Sequence, residues 1–476
     1  MACREEIDSL GTFAVPEEAY YGIHTARALD NFGSAGMPMP SAIILGIVQI
    51  KKAAAAVNAG LGYITQEAAD AIDAACNEIL SGAMAEQFPL PAMQGGAGTS
   101  THMNVNEVLA NRANEILGSK KGTYAPVHPL DTVNCFQSTN DVFPTAIRLA
   151  ALPLLQDVSE EFAQLQQAFQ EKEQAFAGIL KPGRTQLQEA VPVTLGQEFS
   201  AWAEAAGRDR WRLYKAGERL RQINLGGTAV GTGINAPKQF IFRLTETIRE
   251  ISGLPVSRAE NCIDATQNVD QITEVLGLIK TAALSLVKIT SDIRLLSSGP
   301  KAGIGELILE ARQAGSSIMP AKVNPVIPEF AGIAAMQICG FEQSASMAAA
   351  AGQLELNAFL PLIGANLIAS LELLTAAVSA LRTKCVASIQ ANADVCSAHM
   401  RQSHMYATLL TPYIGHEHSA SLIREAETRQ MELRALLLEK ALFTDEEISA
   451  IFNPRDATSP GIAGSTILKD RLNHKS

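Results

Sequence analysis

Apolar residues recur at helical spacing along most of this chain. Stretches near 41–60, 65–82, 104–118, 143–178, 194–222, 238–252, 267–297, 327–355 and 357–390 fit a 3.6-residue repeat. Several are longer than an average globular helix of about 11–12 residues. In the stretch 269–297, Ile272, Val275, Leu276, Ile279, Ala282, Ala283, Leu286, Val287, Ile289 and Ile293 cover most of the helix surface. A helix that is apolar nearly all round must be buried nearly all round. This predicts a central helical bundle whose remaining faces are covered by partner chains. Ala and Gly crowd 327–352, where they allow helices to approach closely. The most apolar stretch, 358–381, carries Pro361, Asn366 and Glu372, so a buried helix is expected there and not a membrane span. The two ends differ from the middle. Residues 1–40 mix Gly, Pro and aromatics, and shorter, more charged helical pieces begin near 397. The predicted division is an N-terminal, mainly helical domain (1–140), a central long-helix domain (141–396) and a small C-terminal helical domain (397–476).

Composition narrows the functional classes. The 476 residues are 47% hydrophobic and 18% charged, ample for a large core and more than one domain. A net charge of -11 with dispersed Lys and Arg argues against nucleic acid as a partner. The first residues contain no apolar run of signal-peptide type. The seven cysteines form no C-x-x-C pair and read as reduced thiols of a cytoplasmic protein. His416 and His418 are close in sequence, but nothing near them completes a ligand set, so no metal is expected.

The candidate chemistry lies in four polar stretches between the helices. Gly315-Ser-Ser-Ile-Met-Pro-Ala-Lys-Val-Asn-Pro325 gathers two hydroxyls (Ser316, Ser317), a cation (Lys322) and an amide (Asn324) between breakers, as suits a loop holding a small anion. In Gln94-Gly-Gly-Ala-Gly-Thr-Ser-Thr-His-Met-Asn-Val-Asn-Glu107, glycines precede Thr99, and a helix is expected to start near Asn104, which has capping-box spacing to Glu107. Ser138, Thr139 and Asn140 precede a long helix with Pro144 expected in its first turn. Gly183-Arg-Thr-Gln-Leu-Gln188 leads to a helix capped by Thr194 with Gln197 three residues on. Hydroxyls and N–H groups at a helix N-terminus favour a carboxylate. Any one of these stretches can be a plain capped helix start; together they suit a ligand with two carboxylates.

Such a set fits proton abstraction beside a carboxylate, whose dianionic enediolate needs oxyanion-type donors. No thiol–histidine pair and no G-x-S-x-G elbow offers another route. A serine can serve as the base only where N–H groups, a nearby cation such as Lys322 and exclusion of water stabilise its alkoxide.

The 315–325 stretch resembles the signature loop of the aspartase/fumarase superfamily, and the other three resemble that family's remaining substrate-binding segments, in order. Tyr21-Gly-Ile-His-Thr-Ala-Arg27, Leu225-Gly-Gly-Thr-Ala-Val-Gly-Thr-Gly-Ile-Asn235 and Pro412-Tyr-Ile-Gly-His416 add to the match, which spans about residues 8 to 461. Within the family the chain is most similar to the aspartate ammonia-lyase branch. The resemblance implies an all-α, three-domain fold whose central five-helix bundle builds a twenty-helix core in a homotetramer, with active sites shared between subunits. It implies deamination of L-aspartate to fumarate and ammonia without a cofactor. Ser316 would take the C3 proton, and Lys322 and Asn324 would hold the α-carboxylate. Thr99, Ser138, Thr139 and Ser317 would hold the β-carboxylate and its enediolate. Asn140 would orient the amino group, with Thr185 and Gln186 beside it.

Three positions depart from the family's usual pattern. Gln186 stands where fumarases have histidine; it can hydrogen-bond but cannot activate water by titrating, so it favours deamination over hydration. His102 stands where asparagine is usual, and Leu130 replaces asparagine after His128-Pro. Both histidines are expected to be solvated loop residues. The rival readings are a fumarase, a lyase for another amino- or N-substituted succinate, and a lyase fold kept as a binding or structural protein, which would predict decay of the signature loop.

Overall fold

A computed structural model of the protein describes residues 2–33 and 36–473. Its main helices are α1 (Ile23–Phe32), α2 (Ser41–Gly60), α3 (Gln66–Leu80), α4 (Thr99–Ile116), α5 (Thr139–Ala175), α6 (Leu195–Ala216), α7 (Lys238–Ser252), α8 (Cys262–Gln267), α9 (Asp270–Leu296), α10 (Val326–Ala350) and α11 (Leu360–Lys384). Shorter helices fill the chain from Ala393 to Asn473. Each periodic stretch of the sequence is a helix, displaced by a few residues at its ends. By length and composition α2 and α11 could cross a membrane, but most of each is buried within the protein, as core helices are.

Short antiparallel ladders interrupt the helices. β1 (Cys3–Asp8) and β2 (Gly11–Pro16) form a hairpin with Cys3 opposite Pro16. A second hairpin joins β3 (Leu180–Thr185) to β4 (Gln188–Thr194), with Pro182 opposite Pro192 and an irregularity between Pro182 and Arg184. Helical periodicity did not reveal it, and paired prolines, which cannot donate to a ladder, masked it as a strand.

Contacts divide the chain into two compact units. One comprises residues 1–161, 209–284 and 334–376, and the other 162–208, 285–333 and 377–476. The division falls inside α5, α6, α9, α10 and α11. In the first unit, Ile43, Ile47, Ile72, Val105, Phe143 and Ile147 are fully buried. In the second, Phe169, Phe176, Phe199 and Trp202 form an aromatic cluster with ring centroids 4.7 to 6.2 Å apart. A separate core, including Leu410, Leu422, Leu436 and Ile448, holds the C-terminal helices together.

Two helix starts differ from expectation. α4 begins at Thr99, not near Asn104, because Gly96 and Gly98 adopt positive φ (86° and 93°) and complete the turn first. A side chain at 98 would also meet the Phe143 ring at 2.5 Å. Asn104 and Glu107 therefore lie buried inside the helix. Glu107 instead caps a distant element: its carboxylate accepts from the N–H groups of Gly22, His24 and Thr25 and from the Thr25 hydroxyl, at the start of α1. α5 begins at Thr139, which places Pro144 inside the helix and not in its first turn. Proline cannot donate to the Asn140 carbonyl four residues back. The Asn224 side-chain amide donates to that carbonyl instead, at 2.9 Å. The reciprocal cap at α6 is as expected: Thr194 N–H donates to Gln197 Oε1 at 3.0 Å and Gln197 N–H to Thr194 Oγ1 at 3.1 Å.

Candidate active site

The candidate residues form two groups, each assembled within its own compact unit. Thr99, Ser138, Thr139 and Asn140 belong to the first unit, and Thr185, Gln186, Ser316, Ser317, Lys322 and Asn324 to the second.

In the first group, α4 and α5 present their N-termini. Thr99 opens α4, and Thr139 and Asn140 open α5, with Ser138 just before. The loop 225–235 is tied to the start of α5. Asp141 accepts from the N–H groups of Gly226 and Thr228 at 3.0 Å each and from Ser138 N–H at 3.1 Å. Burial raises its carboxyl to about 6, against these hydrogen bonds and the charge of Lys51. Asn140 donates its amide to Ala229 O at 2.7 Å. That fixes the amide orientation and leaves Oδ1 as an acceptor without a partner among the described residues.

His102 is not a solvated loop residue. It lies in α4, buried, with Nδ1 at 2.8 Å from Thr139 Oγ1 and Nε2 at 2.6 Å from Lys51 Nζ. The helix that starts five residues early carries it inside. Lys51 is also fully buried and was not singled out from the sequence. Its signal was there: it falls in helical phase with Ile47 and Asn58, both buried. His128 is half-exposed and accepts from Leu130 and Asp131 N–H, capping the short turn 129–133.

In the second group, the 315–325 loop is closed at its base. Gly315 N–H donates to Lys322 O at 2.8 Å, and the Asn324 amide donates to Gly315 O at 2.7 Å. Only glycine fits at 315, since a Cβ would lie 2.6 Å from Lys322 O. Inside the loop, Ser316 Oγ accepts from Ile318 N–H at 3.2 Å and Met319 N–H at 2.9 Å. Residues 317–323 are exposed, and the Lys322 ammonium has no partner among the described residues. A cavity of about 500 Å³ is lined by Arg312, Ser316, Ser317 and Lys322, among others. Arg312 is ion-paired with Glu310 at 2.8 Å and donates to Lys384 O, so Lys322 and the two hydroxyls are the groups on this cavity that suit an anion.

Thr185 and Gln186 sit at the exposed tip of the β3–β4 hairpin. The two turn residues, Gln186 and Leu187, have φ of 54° and 63°. A two-residue turn with both φ positive normally uses Asn-Gly, so Gln-Leu there carries backbone strain of about 1–3 kcal/mol per residue. The adjoining Arg184 anchors the hairpin. It donates twice to Glu306, at 3.1 and 2.8 Å, and Glu306 also meets Lys181 at 3.1 Å and His399 Nδ1 at 2.9 Å. Glu306 and Lys181 are completely buried. Burial opposes ionisation of Glu306, but the Arg184 hydrogen bonds, the Lys181 charge and His399 outweigh it and hold the carboxyl below its ordinary value. No local pattern in the sequence marks this cluster, because its members are scattered from 181 to 399.

A family model described as "Lyase" matches residues 11–340, and one described as "Fumarase C C-terminus" matches 407–459. The chain is 42% identical to the aspartate ammonia-lyase of Bacillus sp over 97% of this chain and 98% of that protein. It is 43% identical to the aspartate ammonia-lyase of Escherichia coli, over 96% of each. Among solved structures, fumarate lyase:delta crystallin from Brucella melitensis bound to cobalt superposes with a TM-score of 0.92 at 41% identity, over 96% of this chain and all of that one. Class II fumarase from Schistosoma mansoni gives 0.91 at 37% identity, again over 96% of this chain and all of that one. With the signature loop, the helix-start hydroxyls and the mainly helical fold already in place, these matches show that the chain belongs to the aspartase/fumarase family of lyases.

Proposed function

We propose that this protein is a carbon–nitrogen lyase that converts L-aspartate reversibly to fumarate and ammonia. The observation that carries the chemistry is the environment of Ser316. Its Oγ already accepts two backbone N–H groups, from Ile318 and Met319, in a loop that also holds Lys322, whose ammonium has no partner among the described residues. Hydrogen bonds to the charged form and a nearby cation lower the cost of an alkoxide. Ser316 would then take a proton from C3. The electron pair moves into the β-carboxylate, giving an enediolate that accepts hydrogen bonds from Thr99, Ser138, Thr139 and Ser317. Collapse of the enediolate breaks the C2–N bond and releases ammonia; Ser316 passes its proton to solvent. Lys322 and Asn324 hold the α-carboxylate. Asn140 Oδ1, without a partner among the described residues, suits an ammonium donor, and Thr185 and Gln186 complete the amino-group side.

The working unit in this proposal is a cytoplasmic homotetramer, built on a twenty-helix core from the long helices of the central part (141–396), with 1–140 and 397–476 flanking it. Active sites are completed by loops from three subunits. The exposed Leu284, Ile333, Met336 and Met347 on α9 and α10 support a covering partner.

The direct assay follows fumarate absorbance with purified protein supplied with L-aspartate and, separately, L-malate. Turnover of aspartate with little from malate is expected, since Gln186 cannot activate water. Turnover of malate but not of aspartate would make the chain a fumarase.

A further inference from the structure

We propose that Lys51 and His102 are positioning residues that fix Thr139 as a hydrogen-bond donor to the substrate's β-carboxylate. The inference rests on the reading of Thr139 given above.

The argument is a count of donors and acceptors. Lys51 Nζ has three neighbours: His102 Nε2 at 2.6 Å, Asn134 Oδ1 at 2.8 Å and Gln137 Oε1 at 2.9 Å. A protonated lysine has three N–H donors and no acceptor; two go to the amide oxygens, and the third is directed at His102 Nε2. Both amides turn their oxygens toward it, since Asn134 Nδ2 donates to Gln137 O and Gln137 Nε2 to Val133 O and Cys135 O. His102 Nε2 must then be unprotonated, which places the ring proton on Nδ1. Nδ1–H donates to Thr139 Oγ1 at 2.8 Å. A hydroxyl that accepts one hydrogen bond keeps its own O–H free to donate, and no other partner of that hydroxyl is present among the described residues.

The charge state of Lys51 decides the polarity. Burial pushes its ammonium well below the ordinary lysine value, while the Asp141 carboxylate opposes that shift. A neutral Lys51 would accept from His102 Nε2–H and invert the chain. Thr139 would then donate inward to Nδ1 and offer an anion only lone pairs. The Asp141 carboxylate and the two amide oxygens turned toward Nζ favour the ammonium, and with it the outward donor. The buried lysine thus acts on the anion through two neutral groups, without an ammonium in the cavity.

Two single substitutions separate the halves of the relay. His102→Gln can offer Oε1 to Lys51 where Nε2 stood but has no donor at the Nδ1 position. His102→Asn places Nδ2–H near Nδ1 and gives up the acceptor for Lys51. With the full-length protein and succinate as a non-reacting dicarboxylate inhibitor of the aspartate reaction, His102→Gln is expected to weaken inhibition about tenfold, the worth of one hydrogen bond to an anion. His102→Asn should bind succinate more tightly than His102→Gln, within about threefold of wild type, because a donor to Thr139 is restored. In a Thr139→Val background, His102→Gln should add nothing further, since coupled residues are not additive. Equal losses from His102→Gln in both backgrounds would reduce His102 to a structural role and overturn the proposal. Inhibition unchanged or tightened by His102→Gln would also overturn it, by showing that Thr139 points inward. If Thr139→Val itself leaves succinate binding intact, the carboxylate-holding role of Thr139 fails first. A weakened Thr139→Val with an unaffected His102→Gln removes the relay alone.

Discussion

Ser316→Ala is expected to lower kcat for L-aspartate by about 10²–10⁴-fold, the range for losing a positioned general base. The loop should survive the change. Its base is closed by the Gly315 and Asn324 hydrogen bonds, which do not involve the serine side chain. The hydroxyl does organise the Ile318 and Met319 N–H groups, which become free for water in the variant. Because residues 317–323 are exposed, those groups are not stranded in an apolar core, and the cost to global stability should be under about 1 kcal/mol. KM should therefore change far less than kcat, with an unaltered thermal midpoint and oligomeric state. Near-wild-type turnover by the alanine variant would remove Ser316 as the base.

Glu306→Gln is expected to be the most destabilising of the changes considered, by about 3–5 kcal/mol, the cost of stripping one partner from a buried ion pair. Lys181 would remain completely buried, with only the half-buried Glu198 at 2.6 Å as a carboxylate partner, and Arg184 would lose its bidentate acceptor. A fall in urea midpoint measures the effect. The pH dependence has a definite sign. The folded carboxyl of Glu306 is held below the ordinary 4.5, so its contribution is fully present above that pH and is lost as pH falls through the depressed value. Wild type should lose stability in acid more steeply than the glutamine variant, which has no such proton to take up. A variant with unchanged midpoint and an unchanged acid limb would show that the cluster contributes nothing net. Arg184 adjoins Thr185 and Gln186, so the same variant should also raise KM for aspartate.

How much of this was legible in the sequence depended on how far apart the interacting residues lie. Helices were legible because periodicity is local. The Thr194–Gln197 cap is legible because both partners lie within one turn. Asn104 and Glu107 have comparable spacing, yet the inference failed. Positive φ at Gly96 and Gly98 had already started the helix, and the Glu107 acceptors serve backbone groups more than 80 residues away. The buried setting of His102 has no local signal for the same reason, since its partners at positions 51 and 139 are remote in sequence. The β3–β4 hairpin left no alternating pattern to read. The motif residues themselves were visible because each polar loop is contiguous, and the two backbone N–H groups at Ser316 Oγ come from its own loop.

The two units are woven from alternating stretches of chain, and the first takes its last piece from 334–376. A ribosome that has delivered the first 161 residues has supplied only part of that unit. α2 to α4 can pack locally, but α5 emerges well before α10 and α11. Contacts between segments so distant in sequence carry a loop-closure cost before they return any stability. Until the later segments of each unit have been made, the nascent chain keeps apolar helix faces that its downstream partners have yet to cover, the condition under which aggregation competes with folding. Slowing translation after the first helices should give little benefit to folding yield, because the missing partners lie downstream.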